Sequence, residues 1–175
     1  MSIRPIIVIP DRVLRGTAKP VEVVDDDVRT LMDDMLDTMY DAPGIGLAAV
    51  QIGVRKRVIV CDVSRNDEAR EPHCFVNPEV IWTSDEHAVY EEGCLSIPDT
   101  YEEVERPAEC KVRYLDRDGN EQEMHCGGML ATCVQHEIDH LDGVLFIDHI
   151  SRLKRERISR KFAKAKRNAQ QVAAE

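Results

Sequence analysis

Gly127-Gly128-Met129-Leu130-Ala131-Thr132-Cys133-Val134-Gln135-His136-Glu137-Ile138-Asp139-His140-Leu141-Asp142-Gly143 is the stretch on which the reading of this chain turns. Its apolar residues (Met129, Leu130, Ala131, Cys133, Val134, Ile138 and Leu141) run nearly all the way round a helical wheel. That predicts a buried helix from about Met129 to Leu141, with Gly143 as its C-terminal stop. Two His, one Glu and one Asp then stand inside a buried element, and buried polar groups need partners. His136 and His140, at i and i+4, share a side and reach one cation. Glu137 is offset by one position and reaches the cation's water without being a ligand. The bland alternative, two satisfied core histidines, leaves two imidazoles and a carboxylate each needing a separate partner. Asp139 either orients an imidazole or faces solvent near the helix end.

Two histidines leave a catalytic metal one protein ligand short. The chain has six cysteines: Cys61, Cys74, Cys94, Cys110, Cys126 and Cys133. None form a C-x-x-C pair, and reduced thiols are expected. Cys94, in Glu92-Gly93-Cys94-Leu95-Ser96, is the best candidate, since a metal-bound thiolate is deprotonated outright and Gly93 permits close backbone approach. Residue chemistry alone does not choose it over Cys126 or Cys133. Cys133, three residues before His136, reads more simply as a small pocket wall. A third segment, Gly44-Ile45-Gly46-Leu47-Ala48-Ala49-Val50-Gln51, has two glycines and ends on a neutral amide donor suited to an oxyanion. Leu47–Val50 fits strand or helix.

Further out, Val28, Leu31, Met32, Met35, Leu36, Met39 and Tyr40 make one apolar face of a helix over 25–40, with acidic residues at its start and Ala42-Pro43-Gly44 at its end. Expected β segments are Ile6–Ile9 (a short strand or buried leading segment), Val58–Val63, His87–Glu91, Cys110–Leu115 and Glu121–Cys126. Phe75–Trp82 is broken by Asn77-Pro78 and reads as an edge or bulged strand. Asp118-Gly119 marks a hairpin turn, and 64–71 a surface loop.

The 175 residues suit one domain with its own core. Hydrophobic residues at 43% and charged residues at 32% exclude wholesale disorder and low-complexity classes. No apolar run reaches membrane-span length, and residues 1–10 lack a signal-peptide core, so the cytoplasm is expected, with no membrane partner. The net charge of -10 is uneven. Residues 151–175 hold nine basic and two acidic residues, net +7, against -17 for residues 1–150. The tail is either a solvated helix face or a polyanion contact, for RNA before DNA.

Together, Gly44–Gln51, Glu92–Ser96 and Gln135–Leu141 resemble the peptide deformylase family, whose pattern reads G-x-G-L-A-A-x-Q, E-G-C-L-S and Q-H-E-x-D-H-L. Every specified position matches, in order. The resemblance implies an α+β fold: antiparallel sheets around a buried helix bearing the two histidines, an N-terminal helix and a C-terminal basic helix. The catalytic domain would span 1–150, with 151–175 a tail of the same domain.

It implies removal of the formyl group from N-formylmethionyl nascent chains. Cys94, His136 and His140 would hold one divalent metal, Fe(II) in the family, and mixed sulfur and nitrogen ligation also suits Zn(II), Ni(II) or Co(II). Glu137 would be the general base and then acid, and the Gln51 amide and Leu95 N–H the oxyanion donors. Ile45 and Gly46 would pair with the substrate backbone, and a methionine-sized pocket is expected near Tyr90, Met129 and Cys133. The basic residues 152–167 become a candidate contact with the ribosome. Two rivals use the same residues: a zinc peptidase, and a non-catalytic ribosome-associated factor with a structural metal.

Overall fold

The computed structural model describes residues 2–64 and 69–172, so part of the expected loop at 64–71 lies outside the described residues. Among the described residues, seven strands and three α-helices make an α+β fold of antiparallel sheets. Five strands form one sheet in the order β1 (Gly46–Ala48), β2 (Val58–Cys61), β3 (His73–Thr83), β6 (Glu109–Leu115), β7 (Glu121–Gly127). Strands β4 (His87–Cys94) and β5 (Ile97–Pro107) form a separate hairpin.

Helix α1 (Asp26–Asp41) begins where the Asp25 carboxylate accepts from the Val28 N–H, and Asp26 and Asp27 complement the dipole. Its Met32, Met35 and Met39 are fully buried and pack with Leu47, Val58, Val60 and Val76 on one face of the large sheet. Strand alternation sends Ile59, Cys61 and Phe75 to the opposite face. There they meet Ala131, Cys133, Val134, Ile138 and Leu141 of helix α2 (Gly128–Leu141). Each fully buried side chain of this size contributes about 1.5–3 kcal/mol of transfer free energy. The other side of α2 faces the β4–β5 hairpin, so the helix is covered nearly all round.

Several local expectations change. Ile6–Ile9 is not a strand; it is tied down by single bonds, Ile7 N–H to the Gln51 carbonyl (2.7 Å) and Ile9 N–H to that of Ser96 (3.0 Å). Strand β3 is interior, paired to β2 and β6, rather than an edge. It tolerates Pro78 because the register breaks between Val76 and Glu79, leaving the absent N–H without a ladder role. Asn77, in the left-handed region at φ 51°, clasps the backbone N–H and carbonyl of Val21, each at 2.8 Å. Leu47–Val50 is divided: β1 ends at Ala48 and a 3-10 turn covers Ala49–Ile52. Strand β5 carried no clear alternation signal and is the longest element missed.

Helix α3 (Arg152–Val172) is anchored in its first half. Ile158 is buried and Phe162 half-packed against Leu14, Ile97 and Leu145–Ile147. Lys154 and Arg157 reach Glu102 at 2.6 and 3.6 Å. Phe162 therefore serves the fold. No described helix is long and apolar enough to cross a membrane.

Candidate active site and metal centre

Three elements converge on α2. Strand β1 is the edge of the large sheet. The β4–β5 hairpin ends in a two-residue turn, Leu95-Ser96, with Cys94 opposite Ile97 at its tip. Between them and α2 lies a cleft of about 400 Å³, with Gly46, Gln51, Cys94, Cys133, His136 and Glu137 on its walls.

Donor atoms of Cys94, His136 and His140 lie within 4.8 Å of one another, the one such metal-binding group among the described residues. Cys94 Sγ is 3.3 Å from His140 Nε2, close to the roughly 3.5 Å expected between sulfur and nitrogen donors on one tetrahedral ion. Cys94 is the cysteine that joins the two histidines in this cluster; Cys126 lies opposite Cys110 on β7, and Cys133 donates to the Ile45 carbonyl at 3.3 Å. All six cysteines are free thiols. Burial drives His140 toward its neutral form, the form that ligates a metal. Glu137 Oε2 is buried with no hydrogen-bond partner among the described residues, the mark of a site whose remaining contents are small and polar. These residues fit a catalytic metal with three protein ligands.

Gly46 makes the approach possible: a Cβ there would overlap Glu137 Oε1 and stand 2.8 Å from Cys133 Sγ. Burial pushes the Glu137 carboxyl up to about 7, with His136 opposing, a range in which a carboxyl is suited to exchange a proton near neutral pH. Gln51 is locked. Its Oε1 accepts from the Ala48 N–H at 2.8 Å, and its Nε2 donates to Ser96 Oγ at 3.1 Å and approaches Cys94 Sγ at 3.6 Å. The amide N–H face is therefore aimed at the donor cluster.

Ile45 and Gly46 lie at the start of the open edge of β1. The Ile45 carbonyl accepts from Asp62 N–H at 2.8 Å. Gly46, opposite Cys61, turns its N–H and carbonyl outward to the open edge. Ile45 also contributes a half-exposed side chain to the rim. Met129 and Cys133 line the cleft, but Tyr90 does not. It faces Val104 across the hairpin, and the cleft wall begins one residue later, at Glu91.

A buried ion network behind the donors was not anticipated. Glu92 Oε2 is 2.8 Å from His136 Nδ1, and both Glu92 oxygens accept from Arg106, at 2.6 and 3.1 Å. Burial alone would raise the Glu92 pKa, but the bonds from His136 and Arg106 outweigh it and hold the carboxyl below its ordinary value. Arg106 also donates to Asp139 at 2.8 Å, and Asp139 meets His149 Nε2 at 2.7 Å. Asp139 does orient an imidazole, then, but that of His149. The signal for Glu92 was its i−2 spacing from Cys94, which returns it to the same face of β4.

A sequence model described as polypeptide deformylase matches residues 3–156. The chain is 61% identical over 165 residues to the peptide deformylase of Rhizobium meliloti, covering 94% of this chain and 95% of that one. It is 64% identical to that of Methylocella silvestris, covering 94% and 86%. Among solved structures, peptide deformylase from Ehrlichia chaffeensis in complex with actinonin superposes with a TM-score of 0.90 at 42% identity, over 95% of this chain and 99% of that one. The enzyme from Legionella pneumophila gives 0.87 at 47%, over 97% and 98%. Neither the zinc peptidase nor the structural-metal factor is supported.

Proposed function

The chain belongs to the polypeptide deformylase family, metal-dependent hydrolases that remove the N-formyl group from nascent peptides, and we propose how its residues divide that work. Cys94, His136 and His140 hold one divalent ion, Fe(II) in the cell, with Zn(II), Ni(II) or Co(II) as substitutes. Such an ion supplies a water that ionises near neutral pH and a Lewis acid for the carbonyl.

Glu137 takes the proton of the attacking water and hands it to the amine nitrogen. The C–O bond to the formyl carbon forms, the C–N bond breaks, and formate and a free amine leave. The Gln51 Nε2–H and the Leu95 backbone N–H donate to the formyl oxygen as charge develops there. Ile45 and Gly46 add the substrate backbone as a short strand at the open edge of β1. Ile45, Met129 and Cys133 wall the first side chain.

The observation that carries this reading is the partnerless Glu137 Oε2, buried beside three converging donors. The test is formate release from a formylmethionyl peptide by anaerobic Fe(II)-loaded protein, beside Glu137→Ala. Formate from the wild type alone is expected; equal release by both removes Glu137 as the base.

We read 151–175 as part of the same domain as 1–150, on the packing of Ile158. The distal cations of α3 are read as a ribosome contact, because Lys164, Lys166 and Arg167 have no ion-pair partner among the described residues. The cytoplasm, where nascent chains carry the formyl group, is the compartment this reading assigns.

A further inference from the structure

A second cavity, of about 240 Å³, opens beside α2, where Gln135, Ile138 and Asp139 face Val80 of β3, Arg106 and Pro107 of β5, and His149. None of the three metal donors lines it. Its polar walls have spent their donors and kept acceptors. Gln135 is only 9% exposed. Its Nε2 donates to the carbonyls of Pro107 and Ala131, each at 3.0 Å. Both partners are acceptors, which fixes the amide's orientation, and Oε1 has no donor among the described residues. Asp139 Oδ2 accepts from Arg106 at 2.8 Å and meets His149 Nε2 at 2.7 Å. Asp139 Oδ1 has no donor among the described residues either. Arg106 is occupied through Nε, Nη1 and Nη2 by Glu92 and Asp139, two carboxylates against its one charge.

An amide oxygen and a carboxylate oxygen are therefore left open beside the apolar Val80, Pro107 and Ile138. An occupant that satisfies them donates hydrogen bonds, carries positive charge and has a short apolar chain.

The cavity also stands one step from the metal donors. Asp139 precedes His140 in the chain, and Arg106 joins Asp139 to Glu92, the partner of His136 Nδ1. A cation at Asp139 competes with Arg106 for that carboxylate. Arg106 then leans on Glu92, and Glu92 becomes a weaker acceptor for His136. An imidazole whose outer partner weakens is a weaker metal ligand.

We propose that this cavity binds a short alkylammonium ion, with its charge at Asp139 and Gln135 and its chain on Val80, Pro107 and Ile138, and that its occupancy lowers metal affinity at Cys94, His136 and His140. The coupling rests on the metal reading of those three residues; the binding stands without it.

The experiment titrates n-butylammonium into the isotope-labelled, Zn(II)-loaded full chain at constant ionic strength and follows amide chemical shifts. Butan-1-ol and butyrate serve as the neutral and anionic counterparts. Saturable shifts at Gln135, Ile138 and His149 are expected, half-complete on the order of 1–10 mM. Butan-1-ol should bind at least about fivefold more weakly, and butyrate should leave the shifts unmoved. Val80→Phe, which fills the cavity, should abolish the shifts, and the milder Val80→Leu should weaken them. Chelator competition should show Zn(II) affinity roughly fivefold lower at saturating n-butylammonium and unchanged with butan-1-ol. Shifts confined to Gly46, Met129 and Cys133 would place the ion in the catalytic cleft and overturn the proposal. So would equal affinity for butan-1-ol, shifts that survive in both variants, or a Zn(II) affinity that ignores the ion. A wild-type chain that holds no Zn(II) overturns the metal reading and the coupling with it; the cavity shifts, measured on that same protein, still decide the binding.

Discussion

Glu92 and His136 meet at 2.8 Å, Oε2 to Nδ1, so the strand that carries Cys94 also orients one imidazole on the helix. One short span of β4 thereby supplies both the cysteine of the candidate metal cluster and the partner of one of its histidines. Glu92→Ala removes the acceptor and takes one of two acidic partners from the buried Arg106. A metal affinity about 10–100-fold weaker is expected, with a stability loss of about 3 kcal/mol. Competition against a chromophoric chelator and urea unfolding measure the two. Unchanged affinity would mean that the contact does not orient the ligand.

Gln51 is pinned at both ends of its amide, which fits a donor held ready for charge on the formyl oxygen. Losing one such donor typically costs about 3 kcal/mol, roughly a hundredfold in rate. Gln51→Ala is expected to lower turnover by at least about tenfold with metal content unchanged. Turnover near wild type at full metal content would remove Gln51 from that role.

Gly46 is where β1 passes closest to Glu137. In Gly46→Ala the added methyl competes for space with Glu137 Oε1 and Cys133 Sγ. Displacing the base by a fraction of an ångström is expected to cost at least about tenfold in kcat, with about 1–3 kcal/mol of stability. Steady-state formate assays beside thermal melts separate the two effects. Full turnover in a stably folded variant would show that the contact does not position Glu137.

The distal half of α3 can be tested without disturbing the core. Deleting all of 151–175 would strip Ile158 and Phe162 from their cluster, so the informative cut removes 164–175. Weaker, less salt-dependent ribosome binding is expected, with activity on a short formyl peptide retained. Sedimentation with ribosomes over a salt series measures it, and unchanged binding rejects the contact.

Asp34 ties the N-terminal segment to α1. Hydrogen bonds from Arg4, the largest influence, hold its carboxyl below 3.8 against the opposing effect of burial. A depressed folded pKa means stability present above the unfolded value and lost as pH falls through the folded one. Asp34→Asn is therefore expected to lower stability by about 1 kcal/mol near pH 7, given that Arg4 is half-exposed. The gap to wild type should close below about pH 4. Urea unfolding across that range checks it; a gap that widens on acidification would contradict the sign.

Helix α1, helix α2 and the β6–β7 hairpin were legible because each carries a periodic apolar pattern bounded by caps or turn residues. The donor pair His136 and His140 was legible for the same reason, since i and i+4 share a side on any helix. Strand β5 was not legible: Glu102, Glu103 and Glu105 break its alternation, and it is held by pairing with β4 rather than by its own pattern. Asn77-Pro78 pointed to an edge or bulged strand, and the structure takes the second course: a bulge lets the strand run through the middle of the sheet.

By itself the sequence determined which residue types carry the chemistry and, through the spacing along α2, that His136 and His140 share a side with Glu137 offset by one position; the matched motif pointed to Cys94. Only the tertiary structure brought Cys94 beside the two histidines while leaving Cys126 and Cys133 elsewhere, turned Gly46 toward the open edge, and joined Glu92, Arg106, Asp139 and His149 into one network. Spacing within a helix is local geometry that the chain carries with it. Meetings between a hairpin tip, a sheet edge and a helix depend on register and packing between elements far apart in sequence, where a shift of one residue reverses every side chain.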